Sequence, residues 1–444
     1  MLTLAGQRVL VLGLGISGRS AARFCAQRGA RVLAADERSA AAISGLETLP
    51  PEVEVRLGAP FPDVAEFDLV VPSPGVPRER WAKRARRAWG DIELAYRALD
   101  VPIVAITGTN GKSTTTLLVD ALLRAAGLRA RAAGNLGNPA LELVGEALDF
   151  AVLEVSSFQL EAVESFRPRV AVVLNVTPDH LDRHGSFEGY LAAKARLLEH
   201  QQPADTAVLN FDDPVVRGLA ERTRARVLPF RILGPLEHGA FWESGCVVFV
   251  EPGGARERFS LSALRLPGIH NRENAVAALA AVVAAGAPAR RAITAFASFE
   301  GLPHRMQTVA RLGGVEWVND SKATNPGAAL RSLRSYETPL VWIAGGRDKG
   351  LDFRELAEAA QGRVRAAILI GEAAGKLETV LAGRLPVHDA GTLERAVALA
   401  AKLAQPGDVV LLAPACASFD QFRGFEERGE RFRAAVHALA KETR

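Results

Sequence analysis

Residues 101–123, VPIVAITGTNGKSTTTLLVDALL, restrict the possible folds of this chain more than any other stretch. Five mostly apolar residues, 103–107, read as a buried parallel strand. Gly108, Thr109, Asn110, Gly111, Lys112, Ser113 and Thr114 then turn into a helix that carries Leu117, Leu118, Ala121 and Leu122. Such a strand-turn-helix cradles phosphate: glycines let backbone N–H groups approach the oxygens, the helix N-terminus adds a positive dipole, and Lys112 reaches the β- and γ-phosphates. Ser113 or Thr114 offers a hydroxyl to Mg²⁺. The strict pattern wants a glycine where Ile106 stands, so the loop is a shortened variant. ATP is the expected ligand; a glycine-rich turn with an incidental lysine is the alternative.

A second glycine turn lies near the start. Residues 8–12 form an apolar strand, Gly13-Leu14-Gly15-Ile16-Ser17-Gly18 follows, a helix runs to about Gly29, and a strand at 31–35 delivers Asp36, Glu37 and Arg38. This is the dinucleotide fingerprint, with an acidic residue about 20 positions on for a ribose or base edge. It fits a diphosphate-linked nucleotide and leaves NAD, FAD and a UDP-sugar all open; a tight turn without ligand is the alternative. Strands at 54–57 and 69–71, the latter leading into Pro72-Ser73-Pro74-Gly75, continue the α/β rhythm.

With 444 residues, and about 150 per domain, roughly three domains are expected. We set them at 1–99, 100–298 and 299–444, an α/β chain of parallel sheets with Rossmann-like outer domains around a phosphate-loop ATPase domain. Hydrophobic content of 48% and charged content of 23% fit a soluble globular protein, and no apolar run approaches a membrane span. The first residues enter a strand directly, so no signal peptide and a cytoplasmic location are expected. Cys25, Cys246 and Cys416 show neither metal spacing nor a disulfide framework. A net charge of +4, with its basic residues dispersed, favours small anionic ligands over nucleic acid. A monomer is expected.

Beyond the phosphate loop, an apolar strand at 149–155 carries Glu154 near its end. A strand at 169–175 delivers Thr177-Pro178-Asp179-His180. Ligands lie off the carboxyl ends of parallel strands, which directs Glu154 and His180 to the crevice of Lys112, where a carboxylate and an imidazole could hold Mg²⁺. A strand-capping carboxylate and an ordinary loop histidine are the alternatives. Lys194, flanked by alanines in a helix at 187–200, reads from pattern alone as a solvated lysine. Residues 205–266 read as partly β, with no chemistry that the pattern reveals. His270-Asn271-Arg272-Glu273-Asn274 opens an alanine-rich helix to Ala285, with Asn271 or its neighbour as N-cap or as an amide for an adenine edge. In the last third, strands at 315–319, 340–344 and 408–412 each end in a polar loop, and together these loops build one site.

Taken together, these motifs resemble the Mur ligases, ATP-dependent amide-forming enzymes of bacterial cell-wall precursor synthesis. GTNGKST at 108–114 and HNREN at 270–274 are similar to the family generally. Pro303-His304-Arg305, NDSKATN at 319–325, GGRDKGLDF at 345–353 and SFDQFRGFEERG at 418–429 resemble its D-glutamate-adding branch. The resemblance covers essentially the whole chain. It implies an amide bond between the L-alanyl carboxylate of UDP-N-acetylmuramoyl-L-alanine and D-glutamate. The UDP part would be held by Gly15, Ile16, Ser17, Asp36, Arg38, Gly75 and Asn135, in place of NAD. ATP would be held by residues 108–114 with Asn271, Asn274, Arg305, Asp320 and Lys322. Two Mg²⁺ ions would use Ser113, Thr114, Glu154, His180 and a carbamoylated Lys194, which makes Lys112, Glu154, His180 and Lys194 the catalytic set. D-Glutamate would be held by Thr324, Lys349, Ser418 and Phe425. An NAD-dependent oxidoreductase would leave the second phosphate loop idle, a folate polyglutamate ligase is not expected to carry the N-terminal nucleotide domain, and an ATP-gated scaffold would release no ADP.

Overall fold

Apolar runs bounded by glycine turns become the strands of three sheets in the computed structural model, which describes residues 2–264, 268–299, 301–348 and 350–442. By contacts the chain divides into two units: Met1–Leu264 with Arg272–Ala297, and Arg265–Asn271 with Ser298–Arg444.

The first unit begins with β1 (Arg8–Leu12), α1 (Ile16–Gln27), β2 (Arg31–Asp36), β3 (Glu54–Leu57), β4 (Leu69–Pro72) and α2 (Asp91–Ala98). Its four strands are parallel in the order β3-β2-β1-β4. Strand order reverses at β1, so the loop at 13–18 opens into a crevice.

A second sheet follows: β5 (Ile103–Thr107), α3 (Lys112–Ala125), β6 (Ala130–Gly134), β7 (Phe150–Glu154), α4 (Ser157–Leu160), β8 (Val170–Val173), α5 (Leu181–His184), α6 (Phe187–Ala195), β9 (Thr206–Asn210), α7 (Pro214–Gly218), β10 (Arg226–Arg231), β11 (Gly239–Glu243), β12 (Cys246–Val250) and β13 (Arg256–Ser260). The order is β13-β12-β11-β10-β9-β8-β5-β7-β6, with antiparallel pairing only at the β11-β12-β13 edge. All five residues of β5 are buried, as a central parallel strand covered on both faces requires. Because β5 lies between β7 and β8, Glu154 and residues 174–180 flank the phosphate loop.

One apolar core runs through both sheets, joining Val9 and Val11 to Ala105, Leu153 and Val173 through Trp89 and Ile92. Buried Glu93 of α2 fastens the join by accepting from the Glu164 and Ser165 N–H groups at 2.9 and 3.1 Å. After α6 the expected helix does not reach residue 200. The N–H of Leu197 bonds to Lys194 O and that of Leu198 to Ala195 O, three residues back, and these tighter turns bury both leucines.

Two helices, α8 (Ile269–Ala284) and α9 (Ala289–Ala292), precede the third sheet. Asn271 is not an N-cap: α8 starts two residues earlier, and the Asn271 N–H donates to Gly268 O at 3.2 Å. The second unit then contains β14 (Gln307–Leu312), β15 (Val315–Asn319), α10 (Pro326–Arg334), β16 (Leu340–Gly345), α11 (Arg354–Ala360), β17 (Val364–Ile370), α12 (Ala374–Leu381), β18 (Val387–Gly391), α13 (Leu393–Leu403), β19 (Val409–Leu412) and α14 (Phe425–Glu442). In the order β14-β15-β19-β16-β17-β18 only β14 pairs antiparallel. Successive residues face opposite cores, Val341 and Ile343 one way, Trp342 and Ala344 the other. The loops that follow β15, β19 and β16 are therefore neighbours, as expected. Among the described residues no helix is long and apolar enough to cross a membrane.

Candidate active site

The phosphate loop is gripped from both sides. Asn175, just past β8, accepts the Thr109 N–H on its backbone oxygen and the Asn110 N–H on its side chain, both at 2.8 Å. Gly111 has φ +81°, and a Cβ there would lie 2.3 Å from Asn274 Oδ1, so only glycine fits. Asn274 also accepts from Thr115 Oγ1 at 3.2 Å, which makes this asparagine a brace of the loop. Lys112 Nζ donates back to the carbonyls of Gly108 and Thr109 at 2.9 and 3.0 Å. Ser113 is half-buried and Thr114 buried.

Lys194 departs from the reading of its sequence pattern. It is not solvated but 1% exposed: α6 packs against the loop, and Nζ donates to Gly108 O at 2.8 Å beneath the ring of Tyr190. Burial, with the charge of Lys112 added, holds its ammonium well below the usual lysine range, while Asp179 and Glu154 pull the other way. Glu154 is buried; Oε1 accepts from Asn135 Nδ2 at 2.7 Å, and Oε2 has no hydrogen-bond partner among the described residues. An orphaned carboxylate oxygen suits a cation. His180 is exposed, left-handed at φ 51°, and packs 4.9 Å from the Phe158 ring. Among the described residues no three His, Cys, Asp or Glu side chains gather as a metal site, so any cation there needs hydroxyl, phosphate or carbamate oxygens as well.

Gly15, Ile16, Ser17, Asp36, Arg38, Gly75 and Asn135 all line one cavity of about 590 Å³. Gly18 lets α1 start against β1, since a Cβ would sit 1.8 Å from Gly13 O. Asp36 accepts the Leu14 N–H at 2.8 Å and the Arg38 Nε and Nη2 groups at 3.0 and 2.8 Å. The Arg38 guanidinium brings its carboxyl down to about 2. Asp36 therefore anchors the glycine turn, and Arg38 with it. Phe61, Arg80 and Gln159 line the same cavity and escaped sequence reasoning, because none belongs to the fingerprint. Gln159 is fixed from both ends, donating to Asp91 Oδ2 at 2.9 Å and accepting the Ser156 N–H at 3.0 Å.

In the second unit, buried Asp320 accepts from the Met306 N–H at 3.1 Å and from Ser332 Oγ, and burial raises its pKa. Both oxygens thus hold the 304–306 turn to α10. Lys322 Nζ lies 4.9 Å from the centre of the Phe425 ring. Ser418 is buried, Thr324 half-buried and Asn271 buried; the Arg305 charge acts on Asp320. Lys349 lies outside the described residues.

Three family models cover this chain: a MurD-like N-terminal domain over residues 7–90, the Mur ligase middle domain over 106–282 and the Mur ligase glutamate ligase domain over 304–416. The chain belongs to the Mur ligase family. Among Mur ligase relatives, the UDP-N-acetylmuramoylalanine–D-glutamate ligase of Geobacter metallireducens is 47% identical over 98% of both chains. The ligase of the same name from Anaeromyxobacter dehalogenans is 47% identical over 99% of both. The MurF ligase of Thermotoga maritima, solved with ADP, shares the fold at 18% identity and a TM-score of 0.61, covering 98% of this chain and 96% of that one.

Proposed function

We infer that this Mur ligase joins D-glutamate to UDP-N-acetylmuramoyl-L-alanine in an ATP-dependent reaction of peptidoglycan precursor synthesis. The names of relatives matched along nearly the whole chain support the substrate pair. Asn135 carries the geometry: it lines the 590 Å³ cavity and donates to Glu154, whose other oxygen is unpartnered, at the crevice of the phosphate loop. A nucleotide sugar in the cavity thereby shares a wall with ATP.

A carboxylate is a poor acyl donor, so transfer of the γ-phosphoryl group first makes the L-alanyl acyl phosphate. Two anions must meet, and Lys112, the loop N–H groups and the α3 N-terminus supply positive potential where they do. The orphaned oxygen of Glu154 fits Mg²⁺; His180, Ser113 or Thr114 and a carbamoylated Lys194 would complete the set for two ions. Bound Mg²⁺ supplies neutralisation of phosphate charge. The amine of D-glutamate, once deprotonated, then attacks the acyl carbon, and phosphate leaves from a tetrahedral intermediate.

Labour divides among residues 1–99 for the nucleotide sugar, 100–298 for ATP and 299–444 for D-glutamate. Thr324, Lys349, Ser418 and Phe425 hold the amino acid; Asn271, Asn274, Arg305, Asp320 and Lys322 serve the adenine nucleotide, Asp320 through its turn. We propose a cytoplasmic monomer that acts on small molecules without NAD. Calorimetric titration with UDP and with NADH tests the cavity: UDP should bind and NADH should not. Tight NADH binding without UDP binding would remove the assignment.

A further inference from the structure

Arg428, in the first turn of α14, is a full cation buried to 0% exposure. Its Nε donates to Ser321 Oγ at 3.0 Å, Nη2 donates to the carbonyls of Ser321 and Cys416 at 2.9 and 3.1 Å, and Nη1 donates to Ala417 O at 3.4 Å. Every one of these acceptors is neutral. Cys416 is no counter-ion, since burial pushes its thiol up to about 12. Among the described residues Asp420 is the carboxylate whose field reaches the guanidinium, but it forms no ion pair with it; its Oδ2 is taken by the Glu372 N–H at 3.2 Å. Burial lowers Arg428 only to about 10, so it stays charged at neutral pH.

A buried charge without an adjacent counter-charge is destabilising, and fastening backbone carbonyls does not require one. The loops it fastens supply the reason. Ser321 precedes Lys322 and Thr324, and its hydroxyl also donates to Phe425 O at 2.8 Å. Cys416 and Ala417 lead into Ser418, and Ala417 O accepts the Arg347 N–H at 2.9 Å, which draws in the loop after β16. Gly346 completes the contact: a Cβ there would meet Ala417 O at 2.3 Å and Arg428 Nη1 at 3.1 Å. One guanidinium therefore holds two strand-end loops directly and the third through Ala417 O, and places positive potential behind them.

We propose that Arg428 is a positioning residue of the amino-acid site, fixing the loops after β15, β16 and β19 and giving that site the buried positive charge that selects an amino acid with a second carboxylate. This rests on the reading of those loops as the D-glutamate site. A merely structural clamp would lower turnover of all amino acids alike; the charge acts on the acidic one.

The test compares D-glutamate with D-glutamine in the full-length enzyme, by phosphate release with saturating ATP and nucleotide sugar, for wild type, Arg428→Gln and Arg428→Lys, with melting temperatures measured alongside. Arg428→Gln should raise KM for D-glutamate by ~10-fold or more and shrink the D-glutamate to D-glutamine ratio of kcat/KM by a similar factor. Arg428→Lys keeps the charge without the fork; it should raise KM for D-glutamate yet hold the ratio within about twofold. A folded Arg428→Gln with the wild-type ratio overturns the proposal. Where Arg428→Gln does not fold, Arg428→Lys decides: an unchanged KM or a collapsed ratio overturns it. A wild type that does not prefer D-glutamate removes the underlying site reading instead.

Discussion

Lys112 and Lys194 donate to the same oxygen, the carbonyl of Gly108, at 2.9 and 2.8 Å. Two ammonium groups on one acceptor stand within ~6 Å, where like charges repel by ~3 kcal/mol at an effective dielectric of about 20. At Lys194 burial is the larger influence on the ammonium, and the Lys112 charge adds to it. The ammonium that yields is therefore Lys194, and a neutral amine can bond to CO₂, lose a proton and become a carbamate.

Lys194→Arg keeps a positive charge and cannot follow that route in ordinary buffer. We expect turnover to fall ~10²-fold or more, most at low Mg²⁺. Intact-mass measurement in bicarbonate should show one acid-labile CO₂ on wild type and none on the variant. Wild-type turnover in Lys194→Arg at saturating Mg²⁺ would return Lys194 to a packing role.

Asn135 touches two sites at once, so removing its amide should be felt in both. Asn135→Ala leaves Glu154 Oε1 without its 2.7 Å donor and opens the cavity wall. KM for the nucleotide sugar and the Mg²⁺ concentration for half-maximal rate should rise together, each by ~10-fold, the scale of losing an outer support of a metal ligand. A change in one without the other would separate the two sites.

Asp36 gives the fold a defined acid sensitivity. Its folded value of about 2 lies below the ordinary 3.8, so its stabilisation is fully present above the ordinary value and is lost as pH falls through about 2. The shift alone would give ~2 kcal/mol, which solvent screening of Arg38 reduces to ~1 kcal/mol; the Arg38 side chain is 54% exposed. Urea denaturation should show wild type ahead of Asp36→Asn near neutrality and the gap closing in acid. A gap independent of pH would mean that Asp36 acts through packing.

Strand-turn-helix units were readable from sequence because their signals are local: β5 is an unbroken apolar run, and residues 108–114 need glycine where the backbone must turn. Gly15, Ile16, Ser17, Asp36 and Arg38 line one cavity for the same reason, whereas Asn135, which lines it too, was legible only through the resemblance to the family. Lys194 was not readable from its own surroundings. Alanines on either side leave its helix without a polar face, and what buries it is the phosphate loop, remote in sequence. Arg428 hides likewise among Glu426, Glu427 and Glu430, a pattern that reads as a solvated helix start until the loops after β15 and β19 close over it. The start of α8 was misplaced because Asn271 looks like a cap, whereas the helix begins two residues earlier, after Gly268.

Phosphate release in the presence of UDP-N-acetylmuramoyl-L-alanine, ATP and one of D-glutamate, L-lysine or diaminopimelate tests the central claim most directly. The expected result is sustained release with D-glutamate alone, one phosphate for each amide bond formed, and none when any of the three substrates is left out. Release that proceeds equally with L-lysine or diaminopimelate, or that needs no amino acid, would contradict it.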